Sequence, residues 1–225
     1  MAMSDDLEDL DALIRRNDPD RWLSSRFIGE RERRADVVAI YAFDHELARA
    51  PKVASNALLG EMRLTWWREV LDEVFEGRPV RRHPTAQALA VAVRRRGLPR
   101  DLLEAMIDAR YRELDASPMD PPEALAWARD TAGRAAELAA MILAPGSDAG
   151  PARAAGTAWA MSRRAAAAPV FAGLAAKTLE GARQAVRGLD AQAFAAAAHA
   201  ALIGRRRSPV GDRLRLILAV ARGRI

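Results

Sequence analysis

The stretch that decides the fold runs from Tyr41 to Gly77 and reads YAFDHELARAPKVASNALLGEMRLTWWREVLDEVFEG. Apolar residues recur at helical spacing on both sides of Ala50-Pro51-Lys52, and Pro51 cannot continue a helix. The pattern predicts an αα-hairpin whose second helix has Ser55 or Asn56 as its N-cap. We expect the buried face of that helix to carry Leu59, Met62, Trp66, Val70 and Phe75, with Trp67 off this stripe and beside a cavity.

Outside the hairpin, proline and glycine divide the chain into further helical segments. The breaks fall at Asn17-Asp18-Pro19, Gly77-Arg78-Pro79, Gly97-Leu98-Pro99, Ala144-Pro145-Gly146 and Gly204 to Pro209. Thr85 is expected to cap one helix, another is expected from Glu123 to Leu143, and alanine-rich helix is expected to continue to Ile203. No alternating stretch predicts a strand, so we expect an all-α fold of roughly eight to ten helices in one domain. Residues 1–204 would form that domain, and residues 205–225 a basic linker and an amphipathic helix.

Composition restricts the chemistry of this chain of 225 residues. It has no cysteine, which excludes disulfides and thiolate metal sites, and its 35 basic and 30 acidic residues leave a net charge of +5. The basic residues lack interleaved aromatic residues, so no nucleic-acid partner is expected. The acidic N-terminus and the absence of a long apolar run are typical of a cytoplasmic protein.

Two pairs of carboxylates one helical turn apart are the candidates for a metal site. They are Glu69 with Glu73 and Glu104 with Asp108. Such a pair places its carboxylate oxygens on one helix face, where both could coordinate the same magnesium ion. Both pairs lie opposite apolar stripes, which favours the alternative of a solvated surface. The three histidines are scattered and predict no metal site.

The C-terminal segment from Leu214 to Ile225 has the pattern of an amphipathic helix. Leu214, Ile217, Leu218 and Ala221 share one face, and four arginines surround it: Arg213, Arg215, Arg222 and Arg224. This pattern is typical of a helix that lies on an anionic membrane surface, and equally of one that docks on the rest of the bundle. The sequence leaves both interpretations open.

The hairpin residues resemble the squalene/phytoene synthase family, the head-to-head prenyltransferases of the isoprenoid (terpenoid) synthase fold. The resemblance continues through His83-Pro84, Gly97-Leu98-Pro99, residues 107–110, Trp127 to Gly133, and Gly156 to Met161. It implies a helical bundle of isoprenoid-synthase type around a substrate or lipid cavity. The candidates for lining this cavity are Tyr41, Phe43, Asp44, Arg63, Trp67, Trp127 and Trp159.

The two aspartate-rich motifs of that family are not found at the positions where the resemblance places them. Enzymes of the family use these aspartates to hold magnesium, which binds and ionises the diphosphates of two prenyl substrates. Here the first place reads ARAPK, with Ala48 and Lys52 at motif positions, and the second reads SRRAAA, with Arg163 and Ala167. Ionising an allylic diphosphate requires metal, and the metal requires oxygen ligands. We therefore expect no catalytic residue, no metal and no cofactor.

The resemblance is strongest to the subgroup that includes the mitochondrial complex I assembly factor. It implies a pseudoenzyme that acts in assembly or lipid binding, with a protein or an isoprenoid-like lipid as partner, in the cytoplasm or at the periphery of the inner membrane. The alternative is an active, magnesium-dependent prenyltransferase of isoprenoid biosynthesis that condenses two prenyl diphosphates. It would have to recruit Asp44, Glu46, Glu69 or Glu73 as ligands.

Overall fold

Helices account for most of the chain that the structure, a computed structural model, describes: residues 2–52, 54, 56–204 and 208–225, with side chains described from Leu10 onward. No strand occurs among these residues, which confirms the all-α prediction. The α-helices are α1 Ala2–Asn17, α2 Pro19–Ser25, α3 Arg31–Arg49, α4 Ala57–Phe75, α5 Pro84–Arg96, α6 Arg100–Tyr111, α7 Pro121–Ala128, α8 Arg134–Leu143, α9 Gly150–Ala167, α10 Ala172–Ala185 and α11 Pro209–Arg222.

Side-chain N-caps define the starts of α2, α4, α7 and α11. The Asn56 side chain accepts a hydrogen bond from the Leu59 amide at 2.9 Å and so caps α4, while Ser55 lies outside the described residues. The prediction that Thr85 caps α5 is wrong, because α5 begins at Pro84 and Thr85 is buried in its first turn. Proline has no amide hydrogen to satisfy and its φ suits the first helical position, so the helix starts one residue earlier than predicted.

Helix α3 lies at the centre of the molecule and is buried on every side from Asp36 to Asp44. It packs against α1, α5 and α8, and Tyr41 and Phe43 have no exposed surface. A helix with apolar residues on every face is stable only when other helices cover each of those faces. Asp44 is held in this setting, which places a carboxylate deep inside the bundle.

Helix α4 buries a different face from the one predicted. Leu64, Trp67, Leu71 and Val74 point inward together with Val70, which was predicted correctly. The assignments of Leu59 and Met62 to the buried face are wrong, since they are 39% and 59% exposed. Packing decides the rotation: the Trp67 ring meets the edge of Phe43 at 5.3 Å, and Gly60 lets the Leu114 side chain approach the helix backbone. Periodicity alone cannot choose between two adjacent faces that both carry large apolar residues.

The predicted helix from Glu123 to Leu143 is interrupted by a π-helical turn at Arg129–Gly133. Upstream, Asp120 and Glu123 form a reciprocal capping box at the start of α7. Helix α9 crosses this turn at close range: a β-carbon on Gly156 would lie 2.3 Å from the Ala132 carbonyl oxygen. π-turns often occur at functional sites, and this one borders the cavity described below.

The predicted alanine-rich helix ends at Ala185, and the prediction that it continues to Ile203 is wrong. The chain continues as short 3-10 segments, Val186–Gly188, Ala191–Ala196 and Ala198–Leu202. Leu189 and Asp190 separate the first of these segments from the second, and small alanine side chains let the tighter backbone of the later segments pack inside the core.

Helix α11 docks on the last of these segments through Leu216 and Ala219. The apolar face predicted from the sequence points away from the bundle, with Leu214, Ile217 and Leu218 about half exposed. The division of the chain after residue 204 stays a prediction, and residues 205–207 lie outside the described part. Within that part, no helix has both the length and the apolar character needed to cross a membrane.

Candidate functional site

A cavity of about 430 Å³ opens between the end of α3, the π-turn and the C-terminal half of α9. Its polar lining comes from Asp18, Arg21, Asp44, His45, Lys52, Arg110, Glu113, Arg163 and Arg164, and its aromatic walls are Trp127 and Trp159. The volume is within the range of small-molecule sites. A second, smaller pocket of about 360 Å³ lies between α3, α4 and the loop at His83.

Two buried arginines hold the carboxylates at the base of the cavity. The Arg21 side chain pairs with Asp18 and, through Nη2, with Asp44 Oδ2 at 2.8 Å. Arg110 donates from Nη2 to Asp44 Oδ1 at 2.6 Å and from Nη1 to Glu113 Oε1 at 2.6 Å. Each carboxylate is thus engaged by a guanidinium.

The ion pairs keep these groups charged in spite of their burial. Burial opposes ionisation of the Asp44 carboxyl, but the charges of Arg110 and Arg21 outweigh it and hold the pKa of Asp44 below its usual value. Burial likewise opposes protonation of Arg21, and the neighbouring Asp18 and Asp44 more than compensate, so the pKa of Arg21 is raised. The base of the cavity is therefore a compact network of fixed charges.

Aromatic rings orient the arginines around the cavity. The Arg21 guanidinium lies between the rings of Tyr41 and Trp159, at 4.9 and 5.0 Å from their centroids. At the mouth, Arg163 lies over Trp159 at 4.8 Å, and Arg164 lies over Trp127 at 5.3 Å. Such contacts restrict a guanidinium to a few orientations while its edge stays available for hydrogen bonds.

The predicted cavity residues fall into three groups. Asp44, Trp127 and Trp159 line the larger cavity, as do the four residues predicted at motif positions, Ala48, Lys52, Arg163 and Ala167. Arg63 and Trp67 border the smaller pocket. Tyr41 and Phe43 lie in the core and are fully buried.

Asp18, Arg21, Arg110, Glu113 and Arg164 line the cavity but were not singled out from the sequence. A signal for Arg110 is present, because it follows Met106 and Ile107 at helical spacing and so lies on the apolar face of α6. A charged residue on a buried face needs a charged partner, and this one has two.

The carboxylate pairs proposed as alternative metal sites are engaged in ion pairs with arginines, with Glu69, Glu104 and Asp108 at or near the surface and Glu73 buried. Glu69 and Glu73 both accept hydrogen bonds from Arg81, at 3.0 and 2.9 Å, and Glu104 accepts one from Arg100 at 2.7 Å. Asp108 pairs with Arg68. Across the side chains that the structure describes, no group of three or more histidines and carboxylates is arranged to hold a metal ion.

Magnesium, which the family resemblance implies, does not fit the donor set of the larger cavity. At the positions where the family resemblance places the motifs, Ala48 and Ala167 offer only methyl groups, and Lys52 and Arg163 carry positive charge. The nearby carboxylates are already bound by Arg21 and Arg110. Magnesium prefers free carboxylate oxygens and water in octahedral geometry.

The family is shown by direct comparison. Residues 14–170, more than half of the chain, match the model of squalene/phytoene synthase. The chain belongs to the squalene/phytoene synthase family, as the hairpin residues predicted.

Solved structures support the fold. A dehydrosqualene synthase crystal structure with a bound ligand superposes with a TM-score of 0.77 and 14% identity, covering 98% of this chain and 97% of that one. Squalene synthase HpnC from Alicyclobacillus acidocaldarius has a TM-score of 0.69 and 15% identity, covering 99% and 95%. The isoprenoid-synthase-like bundle is therefore confirmed.

Curated relatives with higher sequence identity have a different description. NADH dehydrogenase (ubiquinone) complex I assembly factor 6 from Bos taurus is 33% identical over 103 residues, and the protein of that name from Homo sapiens is 31% identical over 103. The Rattus norvegicus protein is 35% identical over 104 residues. Each alignment covers 46% of this chain and 30% of the relative, so this chain matches less than a third of their length.

Proposed function

We propose that this chain is a non-catalytic member of its family that acts as an assembly or lipid-binding factor for a respiratory complex. The observation that carries the proposal is the chemistry of the larger cavity. Its motif positions are alanine, lysine and arginine, and each of its carboxylates is bound by a buried arginine. Such a site has no free oxygens with which to hold the metal that diphosphate ionisation requires.

The assembly role is supported by the curated relatives, which are described as complex I assembly factors. With this role we propose a protein partner and a location in the cytoplasm or at the surface of the inner membrane. In cells that contain this chain, its deletion is expected to lower the amount of assembled complex I on native gels, and a plasmid copy should restore it. An unchanged level of the complex after deletion would argue against the assembly role.

The lack of catalysis is tested with labelled farnesyl or geranylgeranyl diphosphate and magnesium. We expect no C30 or C40 product, under conditions where an active squalene synthase produces one. Formation of either product would favour the alternative, an active head-to-head prenyltransferase, and of its four predicted ligands only Asp44 is among the residues that line the larger cavity. In that case Asp44→Asn should abolish product formation even under conditions where circular dichroism shows that the variant is folded.

A peripheral membrane contact through α11 is a second part of the proposal. Leu214, Ile217 and Leu218 are exposed on one face, while Leu216 on the opposite face anchors the helix to the bundle. Arg213 and Arg222 are exposed beside this apolar face, so the charge complements an anionic lipid surface.

Vesicle sedimentation tests this contact. The chain should sediment with vesicles that contain phosphatidylglycerol and much less with neutral phosphatidylcholine vesicles. The double substitution Leu214→Ser and Ile217→Ser should abolish sedimentation, whereas Val170→Ser, at a valine that is 77% exposed elsewhere, should not. Equal loss in both variants would contradict a specific role of α11.

A further inference from the structure

Helix α4 has a second apolar face, which the described part of the bundle leaves open. Leu58 is 64% exposed, and Leu59 and Met62 are exposed beside it, with Trp66 continuing the same stripe at helical spacing. Among the described side chains, the other large apolar residues that are exposed lie on α11 or are single valines. Single exposed apolar residues are normal, whereas a contiguous group marks an interaction site.

This stripe leads into the smaller pocket of about 360 Å³, whose walls include Trp66, Trp67 and His83. The two indole rings meet edge to face at 4.9 Å, and the His83 ring contacts them at 5.5 and 5.4 Å. Trp67 in turn packs against Phe43 in the core. The aromatic wall is therefore fixed before a partner binds, which lowers the entropic cost of binding. The two pockets of the molecule share no lining residue.

The charged groups of this pocket leave one arginine available. Arg49 donates from Nη1 to both carboxylate oxygens of Glu46, at 3.0 and 3.1 Å, so these two charges offset each other. Within the described residues Arg63 forms no ion pair, and its side chain is exposed on the pocket wall. Glu61 flanks the stripe on the side away from Arg63, since successive helix residues are about 100° apart. Burial lowers the pKa of His83, so this ring adds no charge at neutral pH and the pocket is net positive.

The shape and composition of this surface favour a protein over a lipid bilayer. A bilayer suits an amphipathic helix with several cations beside its apolar face, as on α11. The α4 stripe instead ends in a concave pocket with a single unpaired cation. Tryptophan, methionine and arginine, which are the residue types enriched at protein interfaces, occur together here.

We propose that the α4 stripe and the smaller pocket form the docking site for a partner protein, for a segment of it in which carboxylates lie beside large apolar side chains. One apolar side chain enters the pocket against Trp66 and Trp67, and a neighbouring carboxylate pairs with Arg63. Further apolar residues of the segment cover Leu58 and Met62. The inference rests on the proposed assembly function, for which it names the surface and the chemistry of the partner.

A random peptide library displayed on phage tests this chemistry. Selection on the full chain, with counter-selection on the double variant Met62→Ser and Arg63→Glu, is expected to enrich acidic residues beside leucine, phenylalanine or tryptophan. A selected peptide should bind the double variant at least about tenfold more weakly in fluorescence anisotropy, the effect of losing interface anchors. The matched control, Val170→Ser with Arg183→Glu, changes an exposed valine and an exposed arginine elsewhere and should bind normally. All four side chains are exposed, so the fold should persist, as circular dichroism can check.

Charge reversal tests the pairing with Arg63 directly. A peptide with lysine in place of its acidic residues should not bind the unmodified chain, and it should bind the single variant Arg63→Glu. The proposal is overturned if the library yields no peptide, if it yields basic peptides, or if the selected peptides bind the double variant and the control equally. A dimer that the double variant abolishes would identify a second copy as the occupant, and lost sedimentation of that variant with anionic vesicles would identify lipid. Either result would also overturn the acidic partner.

The peptide measurements contain no respiratory complex, so they separate this inference from the proposed function. In cells that lack the chain, the double variant should fail to restore complex I, whereas the control should restore it. Full restoration by the double variant would overturn the docking site and leave the assembly role in place. If deletion of the chain does not change complex I, the assembly role fails, and peptide binding alone then decides the chemistry of the α4 surface.

Discussion

Asp44 is the residue on which the charge network of the cavity depends. Its carboxylate joins Arg21 on α2 to Arg110 on α6, and all of these side chains are about 95% buried or more. Removing one member of a buried ion pair leaves an uncompensated charge. We expect Asp44→Asn to lower the free energy of unfolding by about 3–5 kcal/mol, measured by urea denaturation. Glu61→Gln, at an exposed site on α4, should leave it nearly unchanged, and a similar effect of both substitutions would contradict this role.

His199 is a second buried polar residue with a measurable consequence. Neither ring nitrogen has a hydrogen-bond partner among the described residues, and burial, together with the positive charge of Arg21, lowers the pKa of His199 to about 3 against a smaller opposing effect of Asp18. The unfolded chain therefore takes up the proton first as the pH falls. Between about pH 6.5 and 3, this one group should reduce the free energy of unfolding by about 1.4 kcal/mol per pH unit.

The histidine prediction is tested by denaturation at several pH values. His199→Leu should reduce the slope of stability against pH by that amount, because leucine carries no titratable group. His45→Gln should retain most of the slope, since His45 is only half-buried. An unchanged slope in His199→Leu would show that other groups dominate acid unfolding.

At the scale of elements, the crossing of α9 over the π-turn depends on Gly156. A β-carbon there would lie 2.3 Å from the Ala132 carbonyl oxygen and 2.8 Å from the Ala136 β-carbon, so backbone must move. We expect Gly156→Ala to cost about 1–3 kcal/mol of stability by thermal or chemical denaturation, the range of overpacked cores. Gly181→Ala on α10 is the control: nothing lies within 4 Å, and the better helix propensity of alanine should stabilise the protein by about 0.5–1 kcal/mol. Destabilisation by both changes would contradict the close crossing.

For the whole molecule, the sequence predicted the helical class and the family, because the hairpin combines strong periodicity with family-specific residues. It did not predict which face of α4 is buried, since that depends on Phe43 and on Leu114 from a distant helix. It also missed the 3-10 segments after Ala185, where alanine is compatible with several backbone conformations.

The cavity was predictable only in part. Trp127, Trp159 and Asp44 were identified as cavity residues through the family resemblance. The four residues predicted at motif positions line the same cavity. Arg21 and Arg110 form pairs over long sequence separations with Asp44, and no local pattern encodes such pairing. Sequence therefore indicated where the cavity lies, whereas tertiary packing determines its charge.

The π-turn at Arg129–Gly133 carries a consequence for how this cavity can change in evolution. A π-turn holds one more residue than an α-helical turn, and each residue of an α-helix rotates the chain by about 100°. Deleting a single residue there would make α7 and α8 one regular helix. The deletion would also rotate Trp127 about the helix axis by about 100° relative to α8. The indole would then leave Glu113, to which it donates a hydrogen bond at 2.8 Å, and Arg164 would lose one of the two aromatic rings that it contacts, keeping Phe171. A deletion of one residue would thus remove one aromatic wall of the cavity.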